Sequence, residues 1–202
     1  MRIESRAMVA ADIDRAAEVL GLAFGDYAWT RWVVDERDHI ARITRLQQLF
    51  LLHFALPHGS ACVTTIDGTV ESVASWIDTG ATAPEPTTSM SALAEQFAEL
   101  EGNRHQASQA ADAEYHLWRP AERHLYLATM GTSPSHQRMG LGARTLQPGL
   151  DLADRHQLSA YLETSSESNV DFYSALGFEI VRHWRIADGV GPDLWLMRRA
   201  PR

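Results

Sequence analysis

Between an apolar run ending at Met130 and an amphipathic stretch beginning near Leu141, the chain carries His136-Gln137-Arg138-Met139-Gly140-Leu141-Gly142-Ala143. A turn built on Gly140 and Gly142 has no Cβ at two positions, so its backbone can approach a ligand closely. The first N–H groups of a helix are unpaired and lie at its positive end, which suits a phosphate or pyrophosphate. Arg138 and Arg144 add positive charge. The same two glycines also describe a tight strand-to-helix corner, and on their spacing alone both readings stand.

A second set follows: Leu162-Glu163-Thr164-Ser165, then Asn169, Phe172-Tyr173 and Leu176-Gly177-Phe178. Tyr173 offers a phenolic proton and Glu163 a carboxylate that can accept one. Their plain structural readings are helix packing and a strand-end ion pair with an arginine. Asn169 either caps a short helix or meets a ligand, and the two roles are compatible. Nearer the N-terminus, Asp26 can anchor a cationic amine or cap a helix. Trp29 and Trp32 are three apart and share one helix face, as core or as a shelf for a flat acceptor. Trp76 is core or pocket.

Several other chemistries are excluded. All 18 basic residues are arginine, and no lysine occurs in the 202 residues. Schiff-base, lysine-base and phosphate-loop lysine mechanisms therefore have no residue to act. A dinucleotide fingerprint needs a third glycine where Thr145 stands. The hydrolase elbow fails because Gly131-Thr132-Ser133-Pro134 is followed by Ser135 rather than glycine. The nine histidines show no ligand-like pairing, His53 and His58 being five apart across Pro57, so no metal is expected. The one cysteine, Cys62, lies in a β-branched run and reads as a packed, inert thiol. A net charge of −8 with scattered arginines argues against a nucleic-acid partner. The first twelve residues have no signal-like apolar stretch, and Leu49–Leu56 is too short to span a bilayer. A reduced, cytoplasmic protein without membrane contact is the expectation.

The elements that must position these groups are legible as periodicity. Residues 2–8 read as an edge strand. Ile13, Ala16, Ala17, Leu20 and Phe24 mark a first helix. A second is expected over about 36–56, with Ile40, Ile43, Leu46, Phe50 and Phe54 as its buried stripe and Pro57 and Gly59 ending it. Strands near 60–66 and 69–77 are joined by Asp67-Gly68, a hairpin signal. Residues 79–89 read as a loop and 90–118 as one or two helices. A central strand, 124–130, feeds the glycine turn and a helix that Pro148 should kink. A strand at 160–164, a helix at 169–176 ended by Gly177 and strands at 178–186 and 193–199 complete an α/β order. One domain spans 1–202.

Taken together, these motifs resemble the GNAT superfamily of N-acetyltransferases. Pro134-x-x-Gln137-x-x-Gly140-x-Gly142 is similar to its acetyl-CoA pyrophosphate motif, and the tyrosine helix ending Leu176-Gly177-Phe178 to its last motif. Over nearly the whole chain the likeness extends to the puromycin N-acetyltransferase group, through Ala23-Phe24, Asp26-Tyr27, Thr30-Arg31, Leu46-Gln47, Arg119-Pro120, Leu127-Ala128-Thr129, Pro148-Gly149 and Leu162-Glu163-Thr164-Ser165. This chain departs from that group at Arg138-Met139, where the group has Gly-Lys, and at Ala28-Trp29 and Trp32.

The resemblance implies a mixed, mostly antiparallel sheet, flanked by helices, whose two parallel middle strands splay apart. It implies acetyl-CoA as co-substrate, with its pantetheine along Met130, Gly131 and Thr132 and near Asn169. Its pyrophosphate falls on Gln137, Arg138, Met139, Gly140, Leu141, Gly142 and Ala143. Tyr173 becomes the general acid and Glu163, through water, the base. The acceptor, a small primary amine such as puromycin or a related antibiotic, falls to Asp26, Tyr27, Trp29, Trp32 and Trp76. An unrelated small amine, a protein N-terminus, and a non-catalytic acyl-CoA-binding role stay open, as does a homodimer.

Overall fold

The computed structural model describes residues 1–57, 61–81 and 89–202. The expected loop at 79–89 falls largely on 82–88, and His58 and Gly59 also lie outside the described residues.

Seven strands form one sheet: β1 (Ile3–Ala7), β2 (Ala61–Ile66), β3 (Thr69–Asp78), β4 (Leu125–Thr132), β5 (Ala160–Thr164), β6 (Glu179–Arg185) and β7 (Asp193–Arg199). Their order across the sheet is β1-β2-β3-β4-β5-β7-β6, antiparallel except for β4 beside β5. Among the described residues, seven α-helices accompany it: α1 (Ile13–Ala23), α2 (Ala28–Val33), α3 (His39–Phe50), α4 (Met90–Glu101), α5 (His105–His116), α6 (Leu141–Arg155) and α7 (Glu167–Ala175).

Successive side chains on a strand face opposite sides, so Val73 and Ala74 of β3 enter different cores. Val73, Val63 and Val70 pack with Ala16, Leu20 and Leu51 from the α1 and α3 side. Ala74 and Trp76 pack with Leu146, Leu150 and Ala153 of α6. A third cluster joins Val33, Val34, Ile43, Ala111 and Tyr115 to Ile186 and Leu194.

The expected helix over 36–56 is altered. α3 begins at His39 and runs into a wider π-helical turn at Leu51–Ala55. Ile40 leaves the predicted stripe and is exposed, while Leu49 and Leu51 are buried. The wider turn changes the angular step per residue, so a 3.6-residue count cannot assign both ends of this segment. At Pro148, α6 continues as a helix on both sides.

β4 carries the irregularity that shapes the site. Ser75 pairs with Thr129 but Trp76 pairs with Leu127, leaving Ala128 as an extra residue. Such a bulge reverses the facing of everything beyond it. Before it, Leu125 and Leu127 join the α6 core. Beyond it, Thr129 reaches Gln47 of α3 at 3.1 Å, and Met130 packs on the α6 side.

Candidate active site

β4 and β5 pair only at Leu125 with Ala160 and at Tyr126 with Tyr161. Beyond Tyr126 the strands diverge, so among the described residues the β5-facing edge of β4 from Leu127 onward has no strand partner. Backbone N–H and C=O groups on such an edge require hydrogen-bond partners. The wedge that opens there is the site.

One side of the wedge is a groove of about 570 Å³ lined by Met130, Gly131, Thr132, Gln137, Arg138, Gly140, Leu141, Gly142, Ala143, Phe172 and Tyr173. Gly140 precedes α6 at φ +78°, in the left-handed region that favours glycine. Arg138 also has positive φ, at 62°, and its side chain lines the groove. A Cβ on Gly142 would stand 2.6 Å from the Met130 methyl and 3.4 Å from the Phe172 ring, so a side chain there would require the Met130 methyl to move. The Gln137 side-chain amide donates to the Thr132 carbonyl at 3.3 Å, tying the turn to the end of β4. Met139 points to solvent and does not line the groove.

The other side is a cavity of about 250 Å³ lined by Phe24, Tyr27, Trp29, Thr30, Gln47, Asp112, Tyr115, Arg119, Tyr126, Leu127, Thr129, Glu163 and Leu194, among others. Groove and cavity share Phe24, Tyr27, Met130, Asn169 and Tyr173. Tyr173 is buried at this junction. Burial first, and nearby Tyr27 second, push its phenol well above the ordinary value. Its ring packs edge-on against Phe172 and Phe178.

Glu163 faces the cavity from β5. Burial pushes its carboxyl up to about 7, while the hydroxyls of Tyr115 and Tyr126 and the charge of Arg119 oppose that rise. The Tyr115 hydroxyl donates to the Tyr126 hydroxyl at 2.9 Å. The expected strand-end ion pair is replaced by a carboxyl set among phenols, with the arginine acting at longer range. Tyr27 crosses from the α1–α2 connection to the end of β5. Its hydroxyl accepts from the Ser165 N–H at 2.6 Å and shares a hydrogen bond with Thr164 Oγ1 at 3.0 Å.

Packing decides where four of the expected residues stand. Trp76 is 1% exposed and forms part of the core under α6, so it lines neither space. Trp32 packs into the third cluster and lies outside the cavity wall, whereas Trp29, on the same face, reaches both. Asp26 sits at the outer rim of the groove and pairs with Arg31 at 2.7 Å, away from the cavity. Asn169 does not cap α7. Ser166 holds the N-cap position, and the Asn169 amide donates to Thr164 Oγ1 at 3.1 Å.

Sequence reasoning placed no site role on Tyr115, Arg119, Tyr126, Gln47 or Asp112. Arg119, Gln47 and Tyr126 stand in or beside motifs of the resemblance, which is the one signal that touches them. Among the described residues no group of three or more His, Cys, Asp or Glu is placed to hold a metal ion. No helix among them is long and apolar enough to cross a membrane.

The sequence model of the acetyltransferase (GNAT) family matches residues 72–178, from β3 through the end of α7. The chain belongs to the acetyltransferase (GNAT) family. The matched span contains the splayed strands, the glycine turn and the Tyr173 helix. N-alpha-acetyltransferase 50 of Danio rerio is 30% identical over 64 residues, which cover 30% of this chain and 38% of that protein. Among solved structures, the "histone acetyltransferase HPA2 and related acetyltransferase" of Corynebacterium glutamicum superposes with a TM-score of 0.73 at 23% identity, covering 100% of this chain and 98% of the other. The yncA protein of Salmonella typhimurium, solved with its cofactor acetyl-CoA, superposes with a TM-score of 0.57 at 16% identity, covering 100% and 95%. At these identities the GNAT solved structures establish the shared fold.

Proposed function

We propose that this GNAT protein transfers acetyl from acetyl-CoA to the primary amine of a small molecule held in the aromatic cavity, both substrates being bound at once. The observation that carries the reading is the junction: a groove ending at a helix N-terminus and an aromatic-lined cavity meet at Tyr173. The groove suits acetyl-CoA on three counts. The β4 edge offers unpaired amides to a pantetheine chain, Gly142 leaves backbone room, and the first turn of α6 with Arg138 suits a pyrophosphate.

Acetyl-CoA supplies a thioester whose carbonyl carbon accepts the amine and whose sulfur leaves. The chain's own residues do the rest. A backbone N–H of the β4 edge near Met130 polarises the carbonyl oxygen and stabilises charge developing on it. Tyr27, Trp29 and Phe24 fix the acceptor against that carbonyl, so much of the rate gain is orientation. Glu163, ionising at about 7, takes a proton from the amine directly or through water. An α-amino group has a pKa of about 8, so only a modest base is needed. Tyr173, kept protonated by its burial, gives its proton to the departing sulfur.

Puromycin and related aminoacyl compounds enter as acceptors through the resemblance over residues such as Arg119-Pro120 and Leu162-Glu163-Thr164-Ser165. A peptide N-terminus enters through the partial likeness to N-alpha-acetyltransferase 50. The test is thiol release from acetyl-CoA with puromycin, an arylalkylamine and a short peptide. Release with a small amine supports the reading, and release with the peptide alone replaces the acceptor. Calorimetric binding of acetyl-CoA with no release from any amine would make this a non-catalytic acyl-CoA-binding protein.

A further inference from the structure

Arg119 lies just beyond α5, and its guanidinium rests 4.5 Å from the Tyr115 ring centre and 5.3 Å from that of Tyr126. It lines the acceptor cavity and also a neighbouring groove of about 450 Å³ bounded by Thr79, Gly80, Arg123 and His124. Nearby arginines are committed. Arg123 binds Asp78 through two hydrogen bonds, at 2.9 and 2.6 Å, and Arg31 binds Asp26. Among the described residues, Arg119 has no carboxylate within ion-pair distance. Its partners are the two phenols, and Glu163 attracts it from farther off.

The cavity therefore has a carboxyl at its inner wall, a guanidinium at its outer wall, and two tyrosines between them. The guanidinium lies over both rings and interacts with the Tyr115 hydroxyl, and a guanidinium's five N–H groups also suit a carboxylate in a two-pronged hydrogen bond. Arg119 is exposed at this rim, so an acceptor bearing only an amine would leave its N–H groups to water, whereas a carboxylate would use them. We propose that the acceptor is an amino acid with an apolar or aromatic side chain, its amine toward Glu163 and its carboxylate on Arg119. The inference rests on the reading of the cavity as the acceptor site and narrows it.

The chemistry stays balanced. The amine nitrogen bonds to the acetyl carbon as the C–S bond breaks, the amine's proton leaves toward Glu163, and the sulfur takes one from Tyr173. The products are an N-acetylamino acid and free thiol, and Arg119 takes no part in bond making. It acts on which acceptor is held.

The experiment measures thiol release with a matched series: phenylalanine, phenylalaninamide, phenethylamine and puromycin. The wild-type protein is expected to favour phenylalanine by kcat/KM over its amide and over the bare amine. In Arg119→Gln the ratio of kcat/KM for phenylalanine over phenethylamine is expected to fall at least about tenfold, mostly through KM, with part of the ratio kept in Arg119→Lys. Thermal melting of both variants checks that they fold. A loss shared equally by all acceptors would show that Arg119 only braces the tyrosines and would overturn the proposal. Puromycin or phenethylamine turned over faster than phenylalanine by the wild type would overturn it too. Absence of release from every amine, these included, would instead sink the transferase reading beneath it.

Discussion

The Ser165 N–H donates to the Tyr27 hydroxyl at 2.6 Å, joining the α1–α2 connection to the end of β5 across 138 positions of sequence. This bond holds β5 where it diverges from β4, so the width of the wedge depends on a side chain from the far end of the chain. Replacing Tyr27 by Phe keeps the ring against Phe24 and leaves the amide unanswered. The expected loss is about 1–3 kcal/mol of stability, read as a lower Tm, with a rise in acceptor KM. An unchanged Tm and KM would mean that water replaces the hydroxyl at no cost.

Tyr173→Phe keeps the packing against Phe172 and Phe178 and removes the proton. General acid catalysis contributes about 10²–10⁴-fold, so kcat is expected to fall within that range while acetyl-CoA affinity changes little. The check is single-turnover kinetics beside calorimetry. Turnover equal to wild type would remove Tyr173 from the chemistry.

Glu163 acts as a base only when ionised, so kcat/KM is expected to rise with pH through about 7. In Glu163→Gln that ionisation should vanish, leaving the amine's own titration near about 8. Stability moves the opposite way. The folded carboxyl ionises higher than the ordinary 4.5, so folding favours its neutral form. Its contribution is full below the unfolded value and is lost as pH rises through about 7. Relative to Glu163→Gln, the wild type should therefore lose Tm between pH 5 and pH 8. A pH-independent Tm difference would contradict the burial assigned to this group.

Gly142→Val places branched carbons where even a Cβ meets the Met130 methyl at 2.6 Å. A branched side chain here is expected to crowd the turn and weaken acetyl-CoA binding, read as a higher Kd. Calorimetry reads it directly, and an unaltered Kd would show that the ligand's path avoids the turn.

Arg138→Ala is expected to weaken acetyl-CoA binding more at low salt than at high salt, because ions screen an exposed cation's pull on a pyrophosphate. A loss independent of salt would assign the holding of the pyrophosphate to backbone groups of the turn alone.

What periodicity and turn chemistry govern was legible before any coordinates. The Asp67-Gly68 hairpin, the central strand into Gly140 and Gly142, and the Tyr173 helix closed by Gly177 each follow from neighbours a few positions apart. Local sterics and short-range hydrogen bonds decide such features, and these are written in the order of residues. The groove inherits that legibility because one continuous segment, 130–143, supplies ten of its nineteen lining residues.

The cavity does not. Trp29 and Trp32 have the same residue type, helix and face, yet only Trp29 reaches the cavity wall. Trp76 looked as much like a pocket wall as core until α6 was seen to cover it. The extra residue at Ala128 reverses which side chains of β4 face α1 and α3, and no alternation count reveals where such a bulge falls. Glu163 is a strand carboxylate in sequence. It becomes a group poised near neutrality because the fold buries it, while Tyr115, Tyr126 and Arg119, arriving from α5, β4 and the connection between them, limit the rise. Sequence by itself determined the family, the turn and the two groups able to carry protons. The tertiary structure alone decided what lines the cavity, because desolvation, stacking and charge pairing act between groups that lie far apart along the chain.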